Sequence, residues 1–533
     1  MKKNIEKSIT EAIIKLKMPE VKFSLQIPKN KDHGDFSTNA AFILSKHLNE
    51  NPLDIASKIC KELEKTNLYI EISIANPGFI NLRINPEIAV NNLKLIIEKD
   101  RTYGKNTSGQ GKKVLLEFVS ANPTGPLTVG HGRGAILGDC LKRILSWNGY
   151  NVHTEYYYNN AGRQMKILAE SVESRYLELK GEDTSFPEDG YHGEYIKKIA
   201  QRIIDVNNLD LTLDDFKTYA EEYIFKQINS TLLKLNIEFN SFFNESKLYK
   251  DKSIDLVINK LRDKNLIYEK DGATWFEGTK VGRENDRVLI KNTGEPTYRL
   301  PDMAYHATKF DRGYDLIIDI FGADHMDAYP DVLEVLKQLN YDIKKVKVLI
   351  HQFVSILQNG ETIKMSTRKA NFITLDKLIE DVGVDAVRYF FIMRSMNSHL
   401  NFDLDIAKEK SEKNPVYYIQ YAHARICTII EKNSLDIKDV NLSLLNNKDD
   451  ISIINNLLNF ENIILKLKDN LEPQLLSNYL YDLATEFHKY YAHNRIISDS
   501  EELTKARLVL IKAVKIVIKN GLKILGISSP KSM

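Results

Sequence analysis

Cysteine is scarce in this chain: Cys60, Cys140 and Cys427 are its only three, far apart in sequence. No two stand at a metal-ligand spacing and no disulfide framework is possible, so each is expected to be a small buried hydrophobe. An excess of either charge is also missing. Lys and Arg number 74 against 72 Asp and Glu, and residues 401–533 hold 18 against 17. Net charge therefore points to no polyanionic partner, and a case for nucleic acid has to come from motifs. The third absence is a long apolar run. At the start, Ile5, Ile9, Ala12, Ile13 and Leu16 form a helical stripe broken by charges, unlike the continuous core of a signal sequence. Near the end, LVLIKAVKIVIKNGLKILGI is crossed by Lys512, Lys515, Lys519 and Lys523 on one face, which excludes a membrane span. The chain is expected to be cytoplasmic, without membrane contact and without a structural metal.

What is present is an ordinary folded composition, 43% hydrophobic and 27% charged, over a length that calls for several domains. Residues 1–85 read as a small α+β unit, and 86–110 as a helix with Pro86 in its first turn, followed by a Gly/Ser/Lys-rich linker. Residues 111–400 alternate strand and helix, the sign of a parallel sheet. A helical insertion interrupts them at about 187–265, after which RVLIKNTG, YDLIIDIFGADH and VKVLIHQFV resume the pattern. Residues 401–533 are helical throughout. No internal repeat or low-complexity tract is found.

The informative stretch is EFVSANPTGPLTVGHGRGA, Glu117 to Ala135. A strand ends near Ser120, two prolines shape a loop, and Gly130 opens a helix at His131. Helix-start N–H groups suit a phosphate, Gly130 lets a flat ring approach the backbone, and His131 can donate to a phosphate gaining charge. A rival reading exists: Gly130, Gly132 and Ala135 fit G-x-G-x-x-G/A, with Glu155 beyond them as the ribose acid of a dinucleotide fingerprint. In that fold the first glycine leaves the strand directly, whereas here nine residues, Ala121 to Val129, intervene.

T-V-G-H at 128–131, after A-N-P-T-G-P-L, resembles the HIGH signature of class I aminoacyl-tRNA synthetases, in the version of the bacterial-type arginyl-tRNA synthetases. Thr128 replaces the first histidine and keeps only a hydrogen-bonding side chain. Lys364, Met365 and Ser366 resemble the first half of the second signature, KMSKS, with Thr367 and Arg368 in its last two places. Lys364, Arg368 or Lys369 would supply the charge that the leaving pyrophosphate needs. The resemblance implies an arginine site of Glu117 and Asp302 for the guanidinium, with Tyr298, while Asn122 holds the amino-acid head. It puts Gly322, Asp324 and His325 near the ATP ribose and the substrate amino group. Tyr417 and Tyr421, in NPVYYIQYAHARI, resemble the opening of the anticodon-binding helix and would stack on bases; Tyr418 lies in the same stripe, and at least one of the three is expected in the core.

The implied fold is α/β: a Rossmann-like parallel-sheet catalytic domain, a small α+β N-terminal domain on the D-loop side of tRNA, and an all-α C-terminal anticodon-binding domain. The implied activity is arginine–tRNA ligation by a monomer, with L-arginine, ATP carrying Mg2+, and tRNA(Arg) as partners, and with tRNA required for arginine activation. His131, Lys364 and Arg368 would be catalytic; Thr128, Gly130, Met365 and Ser366 would contact ATP; His325 would touch the substrate arginine. Two other readings stay open: another class I nucleotidyltransferase, and an inactive tRNA-binding paralogue suggested by Thr128 and the altered KMSKS.

Overall fold

The computed structural model describes residues 2–26, 28, 33–206, 211–363, 373–433, 435–437 and 439–533. The first helix, Lys2–Lys15, lays Ile5, Ile9 and Ile13 into a small core shared with Ile55, Ile59 and Leu63 of the helix Pro52–Leu63. That core backs an antiparallel sheet of four strands in the order Leu25–Gln26, Phe36–Thr38, Phe79–Ile84, Tyr69–Ala75. The helix Pro86–Lys99 follows, capped by Asn85, and packs on the C-terminal helices. Its trailing turn is bound to them, since the Asn520 amide donates to the carbonyls of Asp100 and Tyr103 at 2.8 and 3.2 Å. The helix of this segment thus packs on the helical half of the molecule, while the N–H groups of Asn106 and Gly109 beyond it donate to the carbonyls of Trp147 and Asn148 at 3.1 and 2.7 Å.

The catalytic sheet has five parallel strands: β1 (Lys113–Glu117), β2 (Asn151–Tyr158), β3 (Ser241–Asn244), β4 (Leu316–Gly322) and β5 (Val346–His351), in the order β5-β4-β1-β2-β3. Helix α1 (Val129–Trp147) links β1 to β2, and α2 (Arg299–Asp311) precedes β4. Val114, Leu115 and Leu116 are all buried, as a strand covered on both faces requires. The chain runs one way from β1 to β2 and β3 and returns on the other side as β4 and β5. The carboxyl ends of β1 and β4 therefore flank a switch point, where open α/β sheets take their ligands.

Three strand expectations are corrected. RVLI does not join the parallel sheet: Arg287–Ile290 pairs antiparallel with Ala273–Phe276, which pairs with Ile267–Lys270 across a tight turn at Asp271 and Gly272. Both turn residues have positive φ, 53° and 74°, as a two-residue hairpin requires. The third strand on β2's side is instead Ser241–Asn244, inside the segment read as a helical insertion; SFFN is too short to carry a periodicity of its own. The region after 400 likewise opens on a short strand, Leu400–Asp403, parallel to Val354–Gln358.

Helices α3 (Leu375–Val382) and α4 (Val384–Ile392) join the sheet to a helical domain of α5 (Pro415–Glu431), α6 (Lys448–Asn470), α7 (Gln474–His493) and α8 (Glu501–Leu525). No helix of the described residues is long and apolar enough to cross a membrane. All three cysteines are free and buried, as expected. The junction is fastened by Arg388 of α4, fully buried. It donates to the carbonyls of Leu525 and Leu235 at 2.9 and 2.8 Å and to the Asp139 carboxylate on α1 at 2.5 Å. Gly526, at φ 70°, is the end of α8, and a Cβ there would lie 2.2 Å from Arg388 Nη2. Gly526→Ala is therefore expected to cost about 2 kcal/mol, through the left-handed conformation and the displaced guanidinium. The melting temperature of the purified protein checks this; an unchanged value contradicts it.

Candidate active site

Thr128 is the extended N-cap of α1, and His131 stands three residues into the helix. The Thr128 N–H donates to His131 Nδ1 at 3.2 Å, a reciprocal capping arrangement. An Nδ1 that accepts leaves the proton on Nε2, so His131 is fixed as a donor toward the outside of the helix end. Burial pushes its pKa down, with the Asp324 carboxylate opposing, which keeps the ring neutral. Threonine in place of a first histidine thus has a local role, since a short hydroxyl residue is favoured at an N-cap. Gly130 is exposed, and a Cβ on it would meet only Thr128 Oγ1, at 3.7 Å, so the helix start is open to a flat ligand.

The far side of the second signature meets the same loop. Thr128 bridges to Thr374, and the Leu375 N–H donates to the Leu127 carbonyl at 2.8 Å. Lys364, Met365, Ser366, Arg368 and Lys369 lie outside the described residues, but the segment that follows them is docked against the first signature. His351, at the end of β5 beside Gly322 of β4, shares this corner. Burial lowers its pKa to about 4, and Asp324 and His131 are among the charges it feels. Asp324 and His325 are exposed on the loop after β4, with His325 stacked on Phe321 at 5.2 Å.

A row of acids crosses the strand ends. Asp319 on β4 is in register with Glu117 on β1, and Glu117 with Glu155 on β2, so the three face the same side. All are buried, Glu117 only 3% exposed and Asp319 wholly covered. Helix α2 and its C-cap supply their counter-charges, His306 and Lys309 on one stripe of the helix and Arg312 just past its last residue. Lys309, without exposed surface, contacts Glu117 directly and donates to Asp319 Oδ1 at 2.6 Å. His306 Nε2 donates to Asp319 Oδ2 at 3.1 Å, and its Nδ1 lies 2.9 Å from Asp302 Oδ1. Burial and Lys309 press the His306 pKa down, but Asp302 and Asp319 outweigh them and raise it to about 10, so the ring is an imidazolium. Arg312 holds Glu155 bidentately at 2.7 and 2.8 Å, and Tyr305 Oη adds a third bond at 2.8 Å. Glu155 is therefore committed to the core, and the dinucleotide reading loses its ribose acid.

Among the described residues, Glu117, His306 and Asp319 are the one trio with metal-ligand spacing, and the Lys309 ammonium is bonded to both of its carboxylates. The trio is charge-balanced by an internal cation. Further out, Asp302, with 34% of its side chain exposed, opens the helix on the same line, and Tyr298 is its exposed N-cap. Arg299 lies over the Tyr298 ring at 4.8 Å. Buried Glu245 accepts from Tyr157 Oη at 2.7 Å; burial raises its pKa and Asp302 raises it further. Tyr157 feels Glu245, Asp302 and Glu117 together. Five carboxyl groups thus surround three cations, His306, Lys309 and Arg312; burial raises the pKa of Glu117 and Glu245, and a cationic ligand would draw both toward the charged form. Asn122 is exposed beside this place and its amide donates to Gln164 at 2.7 Å.

Sequence reasoning missed His306, Lys309, Tyr157, Glu245 and His351. The H-x-x-K spacing after Asp302 was a readable signal, because it continues one helix face. Glu245 had none, since its neighbourhood was read as helix. Tyr417 and Tyr421 stand far off in the helical domain, stacked at 6.2 Å, with the Arg425 guanidinium 4.6 Å from Tyr421 and 5.0 Å from Tyr491. Tyr417, Tyr418 and Tyr421 are all half-buried, and Tyr418 leans on the core against Tyr481 and His488. The histidines give a direct check: an NMR titration of the imidazole protons is expected to place His131 below 6.5 and His351 near 4. A His131 midpoint at or above 6.5 contradicts the capped, buried donor.

Comparison with known proteins matches this layout. The family described as arginyl tRNA synthetase N terminal domain matches residues 3–84, tRNA synthetases class I (R), catalytic domain, matches 92–399, and the DALR anticodon binding domain matches 419–533. Among similar proteins, an arginine–tRNA ligase of Desulfotalea psychrophila is 46% identical over 96% of this chain and 95% of its own. One of Chlorobaculum tepidum is 47% identical over 95% of each. The solved arginyl-tRNA synthetase of Thermus thermophilus superposes over the whole of both chains with a TM-score of 0.80, at 20% identity, a likeness of fold. The chain belongs to the arginyl-tRNA synthetases, within the class I aminoacyl-tRNA synthetases.

Proposed function

We propose that this chain activates L-arginine with ATP and transfers it to the 3′-terminal adenosine of tRNA(Arg), acting as a cytoplasmic monomer. The observation that carries the arginine reading is the surplus of carboxylates at the β1–β4 switch point, one helix start away from His131. Asp302 and Glu245 take the guanidinium, with Tyr298 over it and the charge of Glu117 behind; Asn122 holds the amino-acid head. A planar fork with five N–H donors suits paired carboxylates better than an ammonium does. In the first step the arginine carboxylate attacks the α-phosphorus of ATP, forming the mixed anhydride and releasing pyrophosphate. His131, as a neutral Nε2–H donor, stabilises charge growing on the phosphate oxygens. Lys364, Arg368 and Lys369 cover the β- and γ-phosphates, Met365 and Ser366 line the same segment, and Mg2+ arrives with ATP to neutralise them.

Thr128 and Gly130 form the floor for the nucleotide, while Gly322, Asp324 and His325 lie at its ribose and at the substrate amino group. In the second step the terminal ribose hydroxyl attacks the anhydride carbonyl and AMP leaves. Positioning and electrostatics do most of the work, and no covalent enzyme intermediate is required. Bound tRNA is needed for the first step, and Tyr417 and Tyr421 stack on its anticodon bases, with Arg425 alongside.

Charging of total tRNA with each amino acid tests the assignment: arginine alone is expected to be esterified. ATP–pyrophosphate exchange is expected only with arginine, and only when tRNA is present. Asp302→Asn and Glu245→Gln are each expected to raise KM for arginine about 100-fold or more, leaving KM for ATP within a few-fold, because each strips a charge from a desolvated pair. Exchange with another amino acid, or a rise in KM for ATP in place of arginine, contradicts the reading.

A further inference from the structure

We propose that Lys309 and His306 are positioning residues for arginine recognition: Lys309 fixes Glu117 behind the site and His306 aims Asp302 at it, so that the guanidinium meets its carboxylates in one place. The proposal rests on the arginine site given above. Neither residue touches the substrate position: Lys309 is wholly covered and His306 nearly so. Lys309 acts through Glu117, behind the site, and His306 through the half-exposed Asp302.

Glu117 and Asp319 are register partners on adjacent strands, so their carboxylates are held side by side out of water. Two such groups cannot both stay ionised without a cation between them. Lys309 is that cation, bonded to one oxygen of each, and a compact ammonium can serve two carboxylates in this way. The other oxygen of Glu117 accepts from Ser120 Oγ at 2.8 Å, whose hydroxyl also accepts from the Tyr157 N–H. His306 continues the chain outward by bridging Asp319 to Asp302. Asp302, His306, Asp319, Lys309, Glu117 and Ser120 therefore form one unbroken line of hydrogen bonds from the exposed end of α2 to the end of β1. Among the described groups around it, Lys309 Nζ also lies 3.3 Å from His306 Nε2, Tyr305 lies over Lys309 at 4.3 Å, Glu155 is taken by Arg312, and Glu245 by Tyr157. Burial and Asp319 hold the Glu117 pKa above the usual carboxylate range, with Lys309 pulling it down. Glu117 is thus the member that takes a proton once the cation is gone.

Removing the ammonium takes away the strongest influence holding the Glu117 pKa down, so that pKa rises further. In Lys309→Met, Glu117 and Asp319 share a proton near neutral pH, and arginine loses attraction. As pH rises through the pKa of the pair, that proton leaves and arginine binding recovers. The sign is set by a raised carboxylate: neutral below its pKa, charged above it.

The experiment measures kcat and KM for arginine, ATP and tRNA in the charging reaction from pH 6.5 to 8.5, with melting temperatures alongside. Lys309→Met is expected to raise KM for arginine about tenfold or more at pH 7, falling back as pH increases, with KM for ATP and tRNA changed less than about twofold. Lys309→Arg restores the flat pH profile, and His306→Gln raises KM for arginine several-fold. A loss in kcat shared by all substrates, with KM for arginine unchanged and flat in pH, overturns the proposal by reducing both residues to scaffolding. Should Lys309→Met fail to fold, His306→Gln decides: an unchanged KM for arginine overturns it. Asp302→Asn and Glu245→Gln, run in parallel, separate the two claims. If they leave KM for arginine unchanged, the arginine site itself is wrong; if they raise it while the Lys309 and His306 variants do not, only this inference fails.

Discussion

One buried ammonium organises the catalytic centre. Lys309 sits between Glu117 and Asp319, carboxylates that the sheet register forces side by side, and burial removes all three from the screening of bulk solvent. A buried ion pair of this kind contributes little net stability against an apolar substitute, but breaking it leaves an uncompensated charge. Its value lies in what it orients. Because Lys309 and His306 come from α2 and Arg312 from its C-cap, the acids crossing the sheet fix that helix, and the helix in turn sets Asp302 and Tyr298 at its start. Specificity and architecture therefore share the same charges.

A second buried arginine system ties the nucleotide side to the rest of the chain. Arg133, inside α1, donates to the carbonyls of Gln352 and Ser398 at 2.7 and 2.9 Å and to Ser395 at 2.8 Å. Arg388 joins α1 to the end of α8, and Gln420 of the helix bearing Tyr417 and Tyr421 reaches Asp385 and Ser528 at 2.8 and 3.0 Å. The helix that begins at His131 is thus braced by the helical domain. The proposed dependence of the first step on bound tRNA would use such continuity between distant surfaces.

The parts legible in sequence were those with local signals. The loop from Glu117 to Ala135 declared a helix start through its prolines and glycines, and the alternation after it declared a parallel sheet. What stayed hidden depends on register. Asp319 reads as one acid in an apolar strand, and nothing local says that it lies beside Glu117 and one strand further from Glu155. Glu245 follows a four-residue strand too short for its period to show, so the carboxylate beside Asp302 was missed. Thr128 looked like a damaged signature, and only the helix cap explains it. Tyr417 and Tyr421 were visible as a stripe that Arg425 continues on the same helix, whereas Tyr491, on the other side of Arg425, comes from α7 and no single helix reveals it.

The central claim is that a surplus of carboxyl groups selects arginine. Citrulline tests it most directly, because it keeps the shape of the side chain and replaces the guanidinium with a neutral urea. Its inhibition constant against arginine in tRNA charging is expected to exceed the arginine KM by about 100-fold or more, since a charge left unpaired in a desolvated site costs several kcal/mol. Citrulline competing as well as arginine would contradict the account, for shape and hydrogen bonding would then suffice without charge.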